Sequence, residues 1–367
     1  MTNQSYIAPY NAVCLTFNYV FVKNRNEMDG VFDRIDALIG AAVWLASTKK
    51  QVKLVVLQEA AVQGFPDELY DMDPNEYIDK IALTADGPEM ARFGELAKQY
   101  GVYLVAGVRT YRPEFPGRYF NEGILFNPEG EIILRHTKNS VLYPGEHCST
   151  PHDVMEQWEE MFGSGLDAFF PVAKTEIGIS VAMDGSYPEY IRGLAMNGAE
   201  ILCRVNLPSP YSEAYEIQNK AHALFNTMYV VASQMATASV NLGDEPISMS
   251  DGRSQIIRYD GQVLSQKTVA ADSYMAGEVD VEALREFRIS AQVANWIKDL
   301  RTEVIQKIYE KPILPANMNK DKTAYNTPQY TKALQEQVHL MIARGIFTPP
   351  SAPGWEERVV GANIKDK

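Results

Sequence analysis

Between Asn26 and Ser47 the apolar residues Val31, Ile35, Leu38, Ala42 and Leu45 recur at steps of three and four. That period predicts an amphipathic helix. On either side the pattern changes. Tyr10 to Val20 ("YNAVCLTFNYV") is apolar and β-branched, as an opening strand requires. "VKLVVLQ" (Val52 to Gln58) is a nearly unbroken apolar run, as in a strand buried on both faces. "PEMARFGELAKQYG" predicts a helix stopped by Gly101, and "VYLVAGVRTY" the next strand. "YFNEGILFNPEGEIILRHTK" predicts a hairpin around the turn "NPEG". Residues 147–170 mix polar and aromatic character and interrupt the rhythm, which marks an inserted loop with a short helix. Two more strand–helix units end near Gln234, and three short strands follow at Gln255 to Tyr259, Gln262 to Gln266 and Ser273 to Val279. A helix is expected from Val281, then a Pro- and Asn-rich tail with another helix near Pro328 to Arg344. Alternating strands and helices predict an α/β sandwich. No composition shift marks a boundary. The expected division is one domain over 1–290 and an extension over 291–367.

Composition narrows the partners. A net charge of -13, from 34 Lys+Arg against 47 Asp+Glu, argues against nucleic acid or an anionic membrane as partner. No apolar run approaches the roughly 20 residues needed to span a bilayer. Cys14, Cys148 and Cys203 form no closely spaced pair, and the five histidines form no ligand-spaced cluster, so neither a disulfide framework nor a metal site is expected. Reduced thiols and an N-terminal "MTNQSYIAPYNAV" without the basic-then-apolar pattern of a secretion signal predict a cytoplasmic protein.

Three strand ends carry suggestive residues. Glu59 follows "LVVLQ", Lys138 follows "EIILRHT", and Ala182 follows "IGISV". Strand ends along one edge of an α/β sheet are where sites assemble. Taken singly each has a plain explanation: a solvated carboxylate, a surface ammonium, a small residue in a tight turn. "GISVAMDGSYPEYIRGLAMNGAEIL" (Gly178 to Leu202) reads as strand, sharp turn, helix and strand. Such a turn commonly presents a nucleophile, yet Ala182 has no heteroatom.

In combination these segments resemble the nitrilase superfamily of carbon–nitrogen hydrolases, over most of the chain. "VVLQEAAVQGFP" is similar to the family's glutamate segment, "NEGILFNPEGEIILRHTKNSVLYPGE" to its lysine segment, and "AMDGSYPEYIRGLAMNGAEIL" to its nucleophile segment, with Ala182 where the family carries cysteine. The eight positions from Lys138 to Glu146, "DGSYPE" and "AEILCRVN" resemble the aliphatic amidase and formamidase branch. Gly185 and Ser186 stand where the carbamoyl-amino-acid branch offers arginines. The resemblance implies a four-layer α-β-β-α sandwich with a C-terminal helical extension, a homo-oligomer, and no cofactor. It implies hydrolysis of a carboxamide through a cysteine thioester. Glu59 would be the general base and acid, Lys138 and the backbone N–H of Met183 the oxyanion donors, and Glu146 the second carboxylate.

Ala60, Leu142 and Asn206 are the further substrate-contact candidates. Ala60 and Leu142 occupy positions where small-amide members carry rings, which implies a roomier acyl pocket unless aromatics of 147–170 refill it. Two accounts of Ala182 stand. It is an engineered replacement of cysteine, favoured by the retained Glu59, Lys138 and Glu146, or the chain is a natural pseudoenzyme or binding protein. A nitrilase acting on R–C≡N is the alternative enzyme. Ser186 is expected to cap the helix starting near Pro188, Glu189 and Arg192 to pair across its first turn, and Cys14 and Cys203 to lie in the core.

Overall fold

The computed structural model describes residues 6–67, 72–141, 146–175, 177–207, 212–241, 246–250, 252–268, 271–321 and 325–360. Among these the strands are β1 Tyr10–Thr16, β2 Val52–Val56, β3 Tyr103–Tyr111, β4 Tyr119–Phe126, β5 Ile132–Thr137, β6 Ile177–Val181, β7 Ile201–Asn206, β8 Tyr229–Gln234, β9 Thr237–Asn241, β10 Pro246–Ser250, β11 Gln255–Ile257, β12 Val263–Gln266 and β13 Ser273–Val279. The helices are α1 Asp29–Ala46, α2 Pro74–Lys80, α3 Pro88–Tyr100, α4 Met155–Phe162, α5 Leu166–Phe169, α6 Pro188–Met196, α7 Ser212–Asn226, α8 Val281–Ser290, α9 Thr302–Ile305 and α10 Thr327–Ala343.

Two mixed sheets form the centre. One has six strands in the order β13-β1-β2-β3-β4-β5, the other five in the order β12-β11-β8-β7-β6. Period-two alternation divides each strand between two cores. On β1, Val13 and Leu15 face α1 and α3, packing with Phe32, Ile35, Ile39 and Phe93. Ala12 and Cys14 face the second sheet, meeting Val181, Cys203, Val231 and Ile256. On β8, Val230 and Ala232 turn the other way, onto Ile191 and Leu194 of α6 and Ala223 of α7. Three stacked cores make four layers, α-β-β-α, with Cys14 and Cys203 buried as expected.

Several expectations need adjusting. β1 stops at Thr16, because Phe17 N–H turns to Gln58 Oε1 and Tyr19 N–H to the Thr237 carbonyl. The segment read as a connection before Gln255 contains the hairpin β9–β10. Its strands are short and carry only sparse apolar residues. The insertion at 147–170 holds α4 and α5, and Trp158 packs there with Phe115 and Phe120 in a small core of its own. The chain beyond Ser290 lies back on that insertion. Asn317 and Asn319 N–H donate to the His152 and Asp153 carbonyls, each at 2.9 Å, and Arg118 donates to the Asn319 and Lys320 carbonyls. Among the described residues no helix is long and apolar enough to cross a membrane.

Candidate active site

β2, β5, β6 and β7 deliver Glu59, Lys138, Ala182 and Asn206 at or just past their ends. Behind β2 the chain turns sharply: Ala60 adopts φ +45, a left-handed conformation that costs a residue with a Cβ about 1–2 kcal/mol. The turn presses on β3 at Gly107, where a Cβ would lie 2.6 Å from Glu59 Cα. Ala61 N–H donates to the Gly107 carbonyl at 2.8 Å, so this close approach fixes the backbone that carries Glu59. The Tyr19 hydroxyl donates to the Glu59 carbonyl from the other side.

Lys138 connects the first two functional side chains. Its Nζ lies 3.0 Å from Glu59 Oε1 and 2.7 Å from both oxygens of Glu146. Glu59 is 1% exposed, Lys138 1% and Glu146 2%, so solvent screens none of these charges. Around them is a shell not anticipated from the sequence. Asn121 Nδ2 donates to Glu59 Oε1 at 2.7 Å and to Glu146 Oε1 at 3.0 Å. Arg109 Nη2 lies 3.5 Å from Glu146 Oε1, while Nη1 pairs with Asp67. Asp67 also accepts from the Tyr119 hydroxyl at 2.5 Å. Three carboxylates thus face two cations. Burial pushes the Glu59 carboxyl above its ordinary range against the pull of Lys138, and the Glu146 charge pushes it further. Burial works to lower the Lys138 ammonium, but Glu146 and Glu59 together hold it above the usual lysine range.

The turn after β6 is tied to the same cluster. Residues Ala182–Ser186 form a 3₁₀ turn that starts as the strand ends. Asp184, two residues past Ala182, accepts from the backbone N–H of Asn139 at 2.9 Å and of Ser140 at 2.8 Å. Its Oδ2 lies 3.0 Å from His136 Nε2. The residues before and after Lys138 are therefore latched to the turn. Gly185 allows this turn to sit on the buried Arg204, since a Cβ there would lie 2.2 Å from Arg204 Nε. Arg204 is held by Asn219 Oδ1 at 2.8 Å and Gln218 Oε1 at 2.9 Å, and stacks on Tyr215. Burial lowers its guanidinium to about 10. His222 supports the turn at the Gly185 carbonyl, 2.6 Å away, and burial holds its imidazole down at about 4.

The remaining expected residues divide. Asn206 is fully buried, and both its side-chain amide atoms lack a partner among the described residues. Met183 lies in the 3₁₀ turn, and Leu142 lies outside the described residues. Ala60 is not beside open space: Tyr19, Phe65 and Met235 pack around it, with Phe21 and Leu207 alongside. These side chains arrive from β1's far end, from the Glu59 loop and from beyond β7 and β8. Tyr187, not Ser186, stands at the N-cap of α6, and its side chain makes no capping bond. Glu189 accepts from the Tyr309 hydroxyl rather than pairing with Arg192, whose buried Nη1 has no partner among the described residues. Cys148 approaches Glu146 Oε1 at 3.9 Å, but burial first, and then the Glu146 charge, raise its thiol well above the normal range.

The polar shell had one signal in the sequence. β4 is buried along its whole length, so Asn121 and Glu122 within it needed partners on both faces.

A sequence profile for carbon-nitrogen hydrolases matches residues 24–289. The chain is 28% identical over 269 residues to a formamidase of Bradyrhizobium sp. (strain ORS 278), covering 70% of each chain. It is 29% identical over 286 residues to a formamidase of Bradyrhizobium diazoefficiens, covering 76% of this chain and 74% of that one. Among solved structures, a carbon-nitrogen hydrolase from Helicobacter pylori superposes with a TM-score of 0.61 at 20% identity, over 83% of this chain and 99% of that one. A mutant of an amidase from Nesterenkonia, of the nitrilase superfamily, superposes with a TM-score of 0.60 at 17% identity, over 82% and 97% of the two chains. With the profile spanning most of the sandwich, from just before α1 to the end of α8, the chain belongs to the carbon-nitrogen hydrolase family.

Proposed function

We propose that this chain is an amidohydrolase framework that holds a carboxamide at the Glu59–Lys138–Glu146 cluster, with alanine in the nucleophile's place. The observation that carries the reading is the buried Lys138 bridging two glutamates, with its flanking residues latched by Asp184 to the turn that begins at Ala182. With cysteine at 182, Glu59 takes the thiol proton and the sulfur attacks the amide carbon, forming the C–S bond. The carbonyl π electrons move to oxygen, where Lys138 and the Met183 N–H stabilise them. Collapse breaks the C–N bond, and Glu59 returns its proton to the departing ammonia or amine. Water, deprotonated by Glu59, then hydrolyses the thioester to the acid.

Proton transfer and oxyanion binding are coupled in this geometry. An ammonium has three donors, and the three carboxylate oxygens around Lys138 Nζ occupy them. When Glu59 becomes neutral, its 3.0 Å bond to Lys138 weakens, and that N–H turns to the oxyanion. Asn206 offers the substrate a buried amide whose donors and acceptor have no partner among the described residues. As an untransformed scaffold, the chain as it stands binds the amide without turnover. We read Ala182 as an engineered replacement, because buried charges without a use are costly to keep. The extension beyond residue 290 is assigned to contacts between copies.

The test is Ala182→Cys with ammonia release measured over a panel of amides and nitriles. Release from amides, with none from the Ala182 chain, is expected. Release from nitriles alone would make it a nitrilase, and none at all would make it a pseudoenzyme.

A further inference from the structure

Glu59 has two oxygens in different surroundings. Oε1 receives Lys138 Nζ at 3.0 Å and Asn121 Nδ2 at 2.7 Å, while Oε2 is buried and has no partner among the described residues. We infer that Asn121 is a positioning residue that occupies Glu59 Oε1 and leaves Oε2 as the atom that exchanges the proton; the inference rests on the reading of Glu59 as the base.

Residue type and placement both support this. Asn121 is fully buried on β4, in register with Arg109 of β3. Its side-chain amide carries two N–H donors without charge. One goes to Glu59 Oε1 and the other to Glu146 Oε1 at 3.0 Å, so a single neutral group bridges two carboxylates. Reversing the amide would set its oxygen against both carboxylates, which fixes the orientation. Its backbone carbonyl accepts from the Lys138 backbone N–H at 2.8 Å, so the main chain carrying the ammonium is anchored at the same point of β4. Serine has one donor, alanine none, and aspartate would add another negative charge. Donors on Oε1 lower its basicity, and the bare Oε2 keeps both lone pairs for a proton.

Removing the bridge must therefore change the titration of Glu59. The other charged or titratable groups acting on it are Lys138, Glu146 and Arg109, with Arg204 and Tyr215 beyond them. All remain in an Asn121 variant. A hydrogen bond to a charged group is worth about 1.5–3 kcal/mol, which corresponds to a titration midpoint about one to two pH units higher once it is lost.

The experiment uses the chain with Ala182 as it stands, labelled with carbon-13 at the glutamate carboxyls. The Glu59 resonance is assigned by its loss in Glu59→Gln and titrated with Asn121 intact, in Asn121→Ala, and in the near-isosteric Asn121→Asp. Circular dichroism confirms folding. The midpoint is expected to rise by about one to two pH units in Asn121→Ala and at least as far in Asn121→Asp. An unchanged midpoint in whichever variant folds overturns the inference. In the Ala182→Cys protein the acid limb of kcat/KM must move by the same amount, whereas a merely structural loss lowers the rate equally at every pH. A moved midpoint with an unmoved limb overturns the selection of Oε2 as base. A moved midpoint in a cysteine-restored protein that releases no ammonia sustains Asn121's hold on Glu59 and removes the hydrolase reading.

Discussion

Asp184 is the most exposed point of the proposed arrangement to a quantitative test. Its carboxylate, 1% exposed, receives the Asn139 and Ser140 N–H groups and the His136 imidazole. Asp184→Ala takes the partner from a buried backbone donor at Asn139, a part-buried one at Ser140 and the buried His136 ring nitrogen. Each orphaned group costs about 1–3 kcal/mol, and with some relaxation the sum is about 3–6 kcal/mol. Asp184→Asn differs in kind. Its oxygen can keep Oδ1's place, 2.9 and 2.8 Å from the two backbone donors, and the new amide can donate to a His136 that has changed tautomer. The loss should then be about 1–2 kcal/mol, chiefly the charge assistance. Urea unfolding followed by circular dichroism, with ΔΔG taken from midpoints at constant m, separates the two. The same substitutions in the Ala182→Cys protein release the Lys138 loop from the turn, so kcat should fall by about a hundredfold for Asp184→Ala while KM changes little. An Asp184→Ala protein within about 1 kcal/mol of its parent would refute the latch, because the Asn139 N–H and His136 ring nitrogen alone, orphaned in a buried site, should cost about 2 kcal/mol or more.

Other consequences follow from the same geometry. In the cysteine-restored protein Glu59→Gln should abolish ammonia release without unfolding the chain, and Lys138→Ala should cost about a hundredfold or more; near-normal rates in either remove that residue from its role. Because burial raises the Glu59 carboxyl, and only its ionised form accepts a proton, activity should fall as pH drops through a midpoint above the ordinary glutamate value of 4.5; a kcat/KM profile with its acid limb at or below that value contradicts the assignment. Gly185→Ala should destabilise by about 1–3 kcal/mol in denaturation, since the new Cβ would lie 2.2 Å from the Nε of the buried Arg204, whose Nη1 and Nη2 are held by Asn219 and Gln218; a neutral effect would mean the turn is free to move. Burial works to raise Glu122, but Arg112 and Arg135 outweigh it and hold the carboxyl at about 2. The stability this contributes, about 3 kcal/mol, is present above the unfolded value near 4.5 and lost as pH falls toward 2, so Glu122→Gln should flatten stability across that window.

Much of the fold was legible because its layers have distinct periods. α1 shows an apolar stripe at helical spacing, and β2 is a largely apolar run because it lies between a helix layer and a second sheet. The hairpin β9–β10 was not legible, since "TASVN" and "PISMS" have too few apolar residues to declare a buried face. The order of Glu59, Lys138 and Glu146 located the cluster, because each follows a recognisable strand or spacing. Asn121, Arg109, Asp67 and Asp184 were missed for a different reason. Each bonds a partner far away in sequence, as when Asn121 meets Glu59 across 62 positions, and no local pattern encodes such a meeting. Ala60 meets the same limit. One small residue in place of a ring predicts space only if nothing else fills it, and Tyr19 and Phe65 do.

The cluster's bonds also explain how an alanine at 182 is compatible with an intact site. Lys138, Glu59, Glu146, Asn121 and Arg109 bond to one another, with Glu59 Oε2 left bare among the described residues, and Asp184 spends its acceptors on Asn139, Ser140 and His136. None of these bonds needs a side chain at 182, which could contribute only a methyl group. Deleting any charged member instead leaves a buried partner uncompensated, at about 3–5 kcal/mol. In the proposed reading, position 182 is therefore the one member that can be exchanged while the charged framework keeps its bonds. Stability and reactivity are, in that reading, separated by position: the ions hold β2, β4, β5 and the turn after β6 in place, and residue 182 is assigned the choice of whether that arrangement acts on its ligand.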